Sequence, residues 1–205
     1  MYKLEVNNII KNFASRRVLR KVSFSLQTGD SLAVVGKNGS GKTTLLKVIA
    51  GLIRASKGTV AYSGPNGKLS RDELQSSLSY VGPEMTLYDA LTAEENLKFF
   101  ATMRGLAWHL EESDKLLSKM GLNGRGRDKY GAYSSGMKQR LKCAVALLNE
   151  PHYLFLDEPT SNLDEDGKQI VGDIIERQKE NGILIIATNE QKEYGLAEKL
   201  YQLDD

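Results

Sequence analysis

The chain has 205 residues, with 28 Lys and Arg against 26 Asp and Glu, a formal net charge of +2, and 40 % hydrophobic residues. That composition matches ordinary globular proteins and excludes an intrinsically disordered chain. The near-neutral balance gives no electrostatic reason to expect nucleic acid, and no apolar run approaches the ~20 residues that cross a bilayer.

Three β-rich segments open the sequence: Lys3–Val6, Val22–Leu26 and Ser31–Val35. The second alternates apolar and polar residues like a half-exposed antiparallel strand, and the third is continuously apolar like a strand covered on both faces. The opening Met1–Val6 carries an early acid and no apolar core, unlike a secretion signal. After Val35 comes a glycine-rich stretch, then a helix expected over Lys42–Ile53, strands over Gly58–Tyr62 and Ser79–Val81, and a loop at Gly64–Gly67. From about residue 86 to 133 no strand-like run occurs. Thr92-Ala93-Glu94-Glu95 has the pattern of a capping box, Leu97, Phe100, Ala101 and Arg104 follow at helical spacing, and a second helix is expected over Trp108–Met120, stopped by Gly121. This reads as an all-helical insertion. The remainder alternates: a helix over Gly136–Asn149, a strand over Tyr153–Asp157, a helix over Glu165–Asn181, and strands over Ile183–Thr188 and near Leu200–Leu203. Such alternation implies parallel pairing through right-handed crossovers. The single Cys143, on the first of these helices, packs as a small hydrophobe and fits a reducing compartment.

Gly36-Lys37-Asn38-Gly39-Ser40-Gly41-Lys42-Thr43 fits the G-x-x-x-x-G-K-[ST] pattern between a buried strand and a helix. Its glycines let backbone amides meet phosphate oxygens, and the helix N-terminus adds partial positive charge. Lys42 brings a full charge to the β- and γ-phosphates, and the Thr43 hydroxyl suits Mg²⁺. The strand Tyr153–Leu156 ends in Asp157 and Glu158. Alone, such a pair is more often a solvated turn or a helix cap. Beside a phosphate loop, Asp157 becomes the metal acid and Glu158 the general base for an attacking water.

Tyr133-Ser134-Ser135-Gly136-Met137-Lys138-Gln139-Arg140 resembles the L-S-G-G-Q signature of ATP-binding cassette (ABC) ATPases, and Ser161-Asn162-Leu163-Asp164 resembles that family's D-loop. The resemblance covers essentially the whole chain. It implies an α/β fold: a P-loop NTPase core with a mostly parallel sheet and an N-terminal antiparallel β subdomain (1–85 and 134–205), plus an inserted α-helical subdomain (86–133), together one domain over 1–205. It implies two copies closing head to tail on two ATP molecules, with Ser134, Ser135, Gly136 and Met137 of one meeting the nucleotide of the other. The nucleotide would be held by Phe13, Gly36, Lys37, Asn38, Gly39, Ser40, Gly41, Lys42, Thr43 and Thr44, with Mg²⁺ on Thr43 and Asp157. Phe13 sits where the family stacks an aromatic on adenine, though a lone aromatic near a strand could equally be core. Lys42, Glu158 and Asn189 are the expected catalytic residues.

Three departures bear on hydrolysis. Pro83, followed by Glu84, stands where the family usually has Gln, so metal or water contact there is lost unless Glu84 substitutes. The signature carries Ser135 and Met137 in place of Gly and Gln. The switch position after the strand Ile183–Thr188 is Asn189 and not His, and Asn cannot carry positive charge. Slow but real ATP hydrolysis is expected.

The resemblance further implies a subunit peripheral on the cytoplasmic membrane face, joined to separate integral-membrane subunits and driving export. The form Ser-Gly-Met-Lys-Gln-Arg is similar to that of exporters, and the short length to a haem-exporter ATPase. Two other classes stay open: a soluble ABC ATPase acting on ribosome or DNA, and a slowly hydrolysing, ATP-gated regulatory module. His109 and His152 lack metal-ligand spacing. Trp108 anchors the helical insertion or faces a membrane partner, and Gly124–Lys129 reads as a solvated basic loop.

Overall fold

The computed structural model, which describes residues 1–203, opens with a long antiparallel hairpin of β1 (Lys3–Phe13) and β2 (Arg16–Gln27). Both strands run well past their expected bounds. Leu4, Val6 and Ile9 face Leu19, Val22 and Leu26 in the core, but a bulge at Asn8 and a turn at Ala14, each with φ 50°, interrupt the two-residue period. Residues 204–205 of the expected 1–205 domain lie outside the described residues.

β3 (Ser31–Val35) coincides with its expected span, every residue buried. α1 (Lys42–Ile49) stops short of Ile53 because the chain turns left-handed at Gly51, and the Leu52 and Ile53 amides bond back to the Lys47 carbonyl at 2.9 and 3.2 Å. β4 (Lys57–Gly64) and β5 (Gly67–Lys68) form a hairpin around the expected loop. The unforeseen α2 (Arg71–Ser77) is a surface helix capped by Ser70 and Glu73. β6 (Leu78–Val81) follows.

In α3 (Ala93–Met103) the expected capping box is present: the Glu95 amide donates to Thr92 Oγ1 at 3.1 Å, and the Thr92 amide to Glu95 Oε2 at 2.7 Å. α4 (Leu110–Lys119) begins two residues after Trp108 and ends before Gly121, whose φ is 63°. Trp108 is half-buried against the core, which favours the anchoring role. The basic loop is more than solvated: the carbonyls of Gly126 and Asp128 accept the first amides of α3 at 3.0 and 3.2 Å. α5 (Ser135–Leu147), β7 (Tyr153–Asp157), α6 (Glu165–Asn181), β8 (Ile183–Thr188) and β9 (Lys199–Gln202) complete the chain.

The strands form two sheets, an antiparallel one in the order β2-β1-β4-β5 and a parallel one in the order β6-β7-β8-β3-β9. Alternation along the parallel sheet divides the core. Tyr153, Phe155, Ile183 and Ile185 join α1 and the antiparallel sheet; Leu154, Leu156, Leu184 and Ile186 join α3 to α6. The class is α/β, with an antiparallel β layer ahead of the parallel sheet and a helical segment between β6 and α5. Among the described residues no helix is long and apolar enough to cross a membrane.

Candidate functional site

Parallel pairing decides which residues leave the sheet together. Val35 lies level with Thr188, Asp157 with Ala187, and Val81 with Leu156. The segments beginning at Gly36, Asn189, Glu158 and Gly82 therefore emerge at one carboxyl edge, where parallel α/β sheets build their sites.

The phosphate loop joins β3 to α1. Gly41 takes φ 104° at the N-cap, and a Cβ there would stand 2.9 Å from Val18 Cγ1, so both the turn and the approach of β2 require glycine. A Cβ on Gly36 would meet Ser40 Oγ at 2.6 Å. Side-chain oxygens cap α2, α3, α5 and α6, but none caps α4 or α1, and at α1, which follows the phosphate loop, the first-turn amides remain available to an anion. Lys42 is buried, and its Nζ donates to the carbonyls of Gly36 at 2.7 Å and Lys37 at 3.1 Å. Of its three donors one is left over. Ser40 Oγ is buried without a hydrogen-bond partner. Lys37, Asn38 and Gly39 are exposed, and Thr43 and Thr44 are half-buried at the start of α1.

Asp157 ends β7 almost fully buried. Its Oδ2 accepts from Tyr80 Oη at 3.2 Å, and the Thr43 hydroxyl lies close enough to favour the charged carboxylate. Its Oδ1 has no hydrogen-bond partner. Burial raises the Asp157 pKa; Thr43, Tyr80 and Lys42 pull it down, and Glu158 adds to the rise. An orphaned carboxylate oxygen beside a hydroxyl is a hard, oxygen-only donor set that fits Mg²⁺. Glu158 adopts φ 51°, unusual for a residue with a side chain, and its amide donates to the Ala187 carbonyl at 2.8 Å. It stands half-buried where the chain leaves the carboxyl edge of the sheet.

Asn189 Nδ2 donates to Asn38 Oδ1 at 2.9 Å, bringing the switch position onto the phosphate loop. Phe13 is 49 % exposed at the hairpin tip, with Lys11 Nζ 4.7 Å from its ring centroid, so it is not a core residue. Ser134 and Ser135 are exposed and Gly136 and Met137 half-buried at the start of α5, where the Ser134 hydroxyl accepts the Met137 amide at 3.2 Å. They are not gathered with the phosphate loop. α5 packs on β6, and two strands separate β6 from β3, an offset of roughly 14 Å at the usual strand spacing. A Cβ on Gly136 would lie 3.3 Å from the Asn162 carbonyl, so the signature helix abuts the D-loop segment.

Apart from Glu84, several residues at the site were not singled out from the sequence. Tyr80 was legible only as a strand residue, although its place near the end of β6 marks it in retrospect. Glu84 pairs with Lys47 of α1 at 2.5 Å, so its carboxylate is engaged there. Asn96 is fully buried; it accepts the Tyr88 amide at 2.9 Å and donates to the carbonyls of Tyr88 and Thr92 at 3.1 and 2.9 Å, fastening the loop before α3. Its signal was a lone amide among the apolar positions of α3. Glu193 is buried against Thr160.

The chain is 32 % identical over 193 residues to a linearmycin resistance ATP-binding protein of Bacillus subtilis, covering 93 % of this chain and 62 % of that protein. It is 36 % identical over 188 residues to a lantibiotic transport ATP-binding protein of Streptococcus pyogenes, covering 91 % of this chain and 79 % of the relative. A solved ATP-binding subunit of an ABC transporter superposes with a TM-score of 0.84 at 28 % identity, over 98 % of this chain and 85 % of the other. The family model described as ABC transporter matches residues 19–161, a span running from β2 through the phosphate loop, the signature and Asp157 to Ser161, and the chain belongs to that family.

Proposed function

We propose that this chain is the ATP-hydrolysing subunit of a multi-subunit membrane exporter, working on the cytoplasmic face as a homodimer or pseudo-dimer that closes on two ATP molecules. The observation that carries the proposal is the buried, unpartnered Oδ1 of Asp157 beside the Thr43 hydroxyl, below the uncapped N-terminus of α1. Residues 1–85 and 134–205 act in this reading as the nucleotide-binding core, and 86–133 as the helical subdomain.

Gly36 to Thr44 bind the phosphates, Lys42 supplies charge to the β- and γ-groups, and the half-exposed face of Phe13 stacks on adenine. Thr43 and Asp157 hold Mg²⁺, which when bound neutralises developing phosphate charge. Glu158 takes the proton of the attacking water, while Asn189 donates a hydrogen bond to a γ-phosphate oxygen. Ser134 to Met137 of a second copy complete the site, since the offset of α5 from β3 keeps them from their own chain's nucleotide.

The exposed Tyr88, Phe99 and Met103 beside the Pro83–Asp89 loop suit a separate membrane subunit. One relative is named for linearmycin resistance and another for lantibiotic transport, so we take the exported substrate to be of the antibiotic class. The haem-exporter alternative has no site residue of its own to support it.

The engagement of Glu84 by Lys47 and the absence of a polar group at Pro83 favour one second reading, an ATP-gated module that closes but hydrolyses very slowly. One experiment tests both. Glu158→Gln in the full chain should bind ATP with Mg²⁺, release no phosphate and accumulate as a dimer by light scattering. A parent that itself accumulates as that dimer without phosphate release supports the regulatory module; a parent that ignores ATP defeats both readings.

A further inference from the structure

Glu193 lies in a 3-10 turn, Gln191–Leu196, that follows the switch residue, and it is only 5 % exposed. A carboxyl is seldom buried without a purpose that offsets its lost hydration. Its Oε1 accepts a hydrogen bond from the Thr160 hydroxyl, 33 residues earlier, while its Oε2 is buried without a hydrogen-bond partner. The Thr188 oxygen is itself fixed, accepting the Glu190 amide at 3.0 Å, and the Glu193 amide donates to the Glu190 carbonyl at 2.9 Å.

Glu193 thus joins two stretches of backbone, one through its carboxyl and one through its own turn. Thr160 stands two residues after Glu158 on the way to the D-loop segment, and Thr188 immediately precedes Asn189. Burial raises the Glu193 pKa; Thr188 opposes the rise, Glu190 and Glu158 add to it, and Lys168 offsets part.

We propose that Glu193 is a positioning residue: its buried carboxyl ties Thr160, on the segment carrying Glu158, to the turn that hangs through Glu190 from Thr188, beside Asn189, and so sets the spacing between the water-activating base and the γ-phosphate donor. The inference rests on the ATPase function proposed above. A strand-end base in left-handed backbone, as Glu158 is, needs such external bracing, because misplacement by about 1 Å can lower a rate some hundredfold. The tie acts on the chemical step and not on nucleotide capture, since none of its members belongs to the phosphate loop.

The test uses the full chain with ATP and Mg²⁺ and three variants. Glu193→Ala and Thr160→Val should each lower kcat by about tenfold or more while the KM and dissociation constant for ATP stay within about twofold, the signature of an interaction made in the transition state. Glu193→Gln, which keeps an accepting oxygen for Thr160, should restore kcat to within about threefold of the parent. The double variant Glu193→Ala with Thr160→Val should be no worse than the poorer single, because both remove one tie. Thr160→Val within about twofold of the parent in kcat, additive losses in the double variant, or losses that appear equally in ATP affinity would overturn the proposal. If Glu193→Ala fails to fold, Thr160→Val and Glu193→Gln decide. A parent that releases no phosphate defeats the ATPase function itself, whereas an active parent with unaffected variants defeats only this inference.

Discussion

Replacing Lys42 by Met removes one charge from the phosphate loop with little change of shape, and both consequences can be worked out. At an effective dielectric of 20 and a separation of 4 Å, one unit charge on a phosphate is held by about 4 kcal/mol. Desolvating the ammonium is not part of the binding step, because the side chain is already 6 % exposed and clasped by the Gly36 and Lys37 carbonyls. Binding should therefore lose about 3–4 kcal/mol, some hundred- to thousandfold in the dissociation constant for ATP. The free protein responds separately. The carbonyl of the buried Gly36 loses its donor, which alone costs about 1–3 kcal/mol, offset in part because the buried charge is gone. A net loss of about 1 kcal/mol lowers Tm by roughly 2–4 °C for a chain of this size. Calorimetric titration with ATP and a thermal melt without it separate the two numbers. An ATP affinity within about threefold of the parent would refute the phosphate role of Lys42, and a nucleotide-free Tm above the parent's would refute the clasp.

Asn189→His should raise turnover of the assembled complex by about fivefold, since a charge-assisted hydrogen bond exceeds a neutral one by about 1 kcal/mol; equal or lower turnover means Asn189 does not limit hydrolysis. Burial pushes the Cys143 thiol up to about 12, with Lys142 opposing slightly, so at pH 8 only about one thiol in ten thousand is thiolate. Alkylation should be absent in the folded chain and complete in denaturant, and prompt labelling of the folded chain would contradict its burial in the core.

Where two-sided burial dictates the sequence, the elements were legible to the residue: β3, β7 and β8 are continuous apolar runs, and α6 has its cap at Asp164 and its stop at Gly182. The hairpin between Ile9 and Lys21 was not, because a bulge at Asn8 shifts the alternation and the turn at Ala14-Ser15 lacks the Gly or Asn that usually marks such turns. α2 went unread although Ser70 and Glu73 spell a capping box, since it buries no side chain and leaves no periodic apolar stripe. The phosphate loop and the Asp157–Glu158 pair were legible because their chemistry demands contiguous residues. Tyr80, Glu84 and Glu193 act through partners 77, 37 and 33 positions away, and contiguous spacing carries no trace of such pairs.

That distinction also bears on the missing half of the site. Ser134 accepts the Met137 amide at 3.2 Å and is exposed, so one lone pair of its hydroxyl is used while its proton remains free to donate. An anion brought to it gains that hydrogen bond and the positive end of α5 together. In the proposed dimer the anion comes from the other copy, since β7 and β8 lie between β6, on which α5 rests, and β3. Each copy in the proposed dimer therefore carries a donor lacking a phosphate and a phosphate lacking a donor. Closure is favoured only while the γ-phosphate is present, and release of phosphate removes the anion that made the second copy's approach favourable.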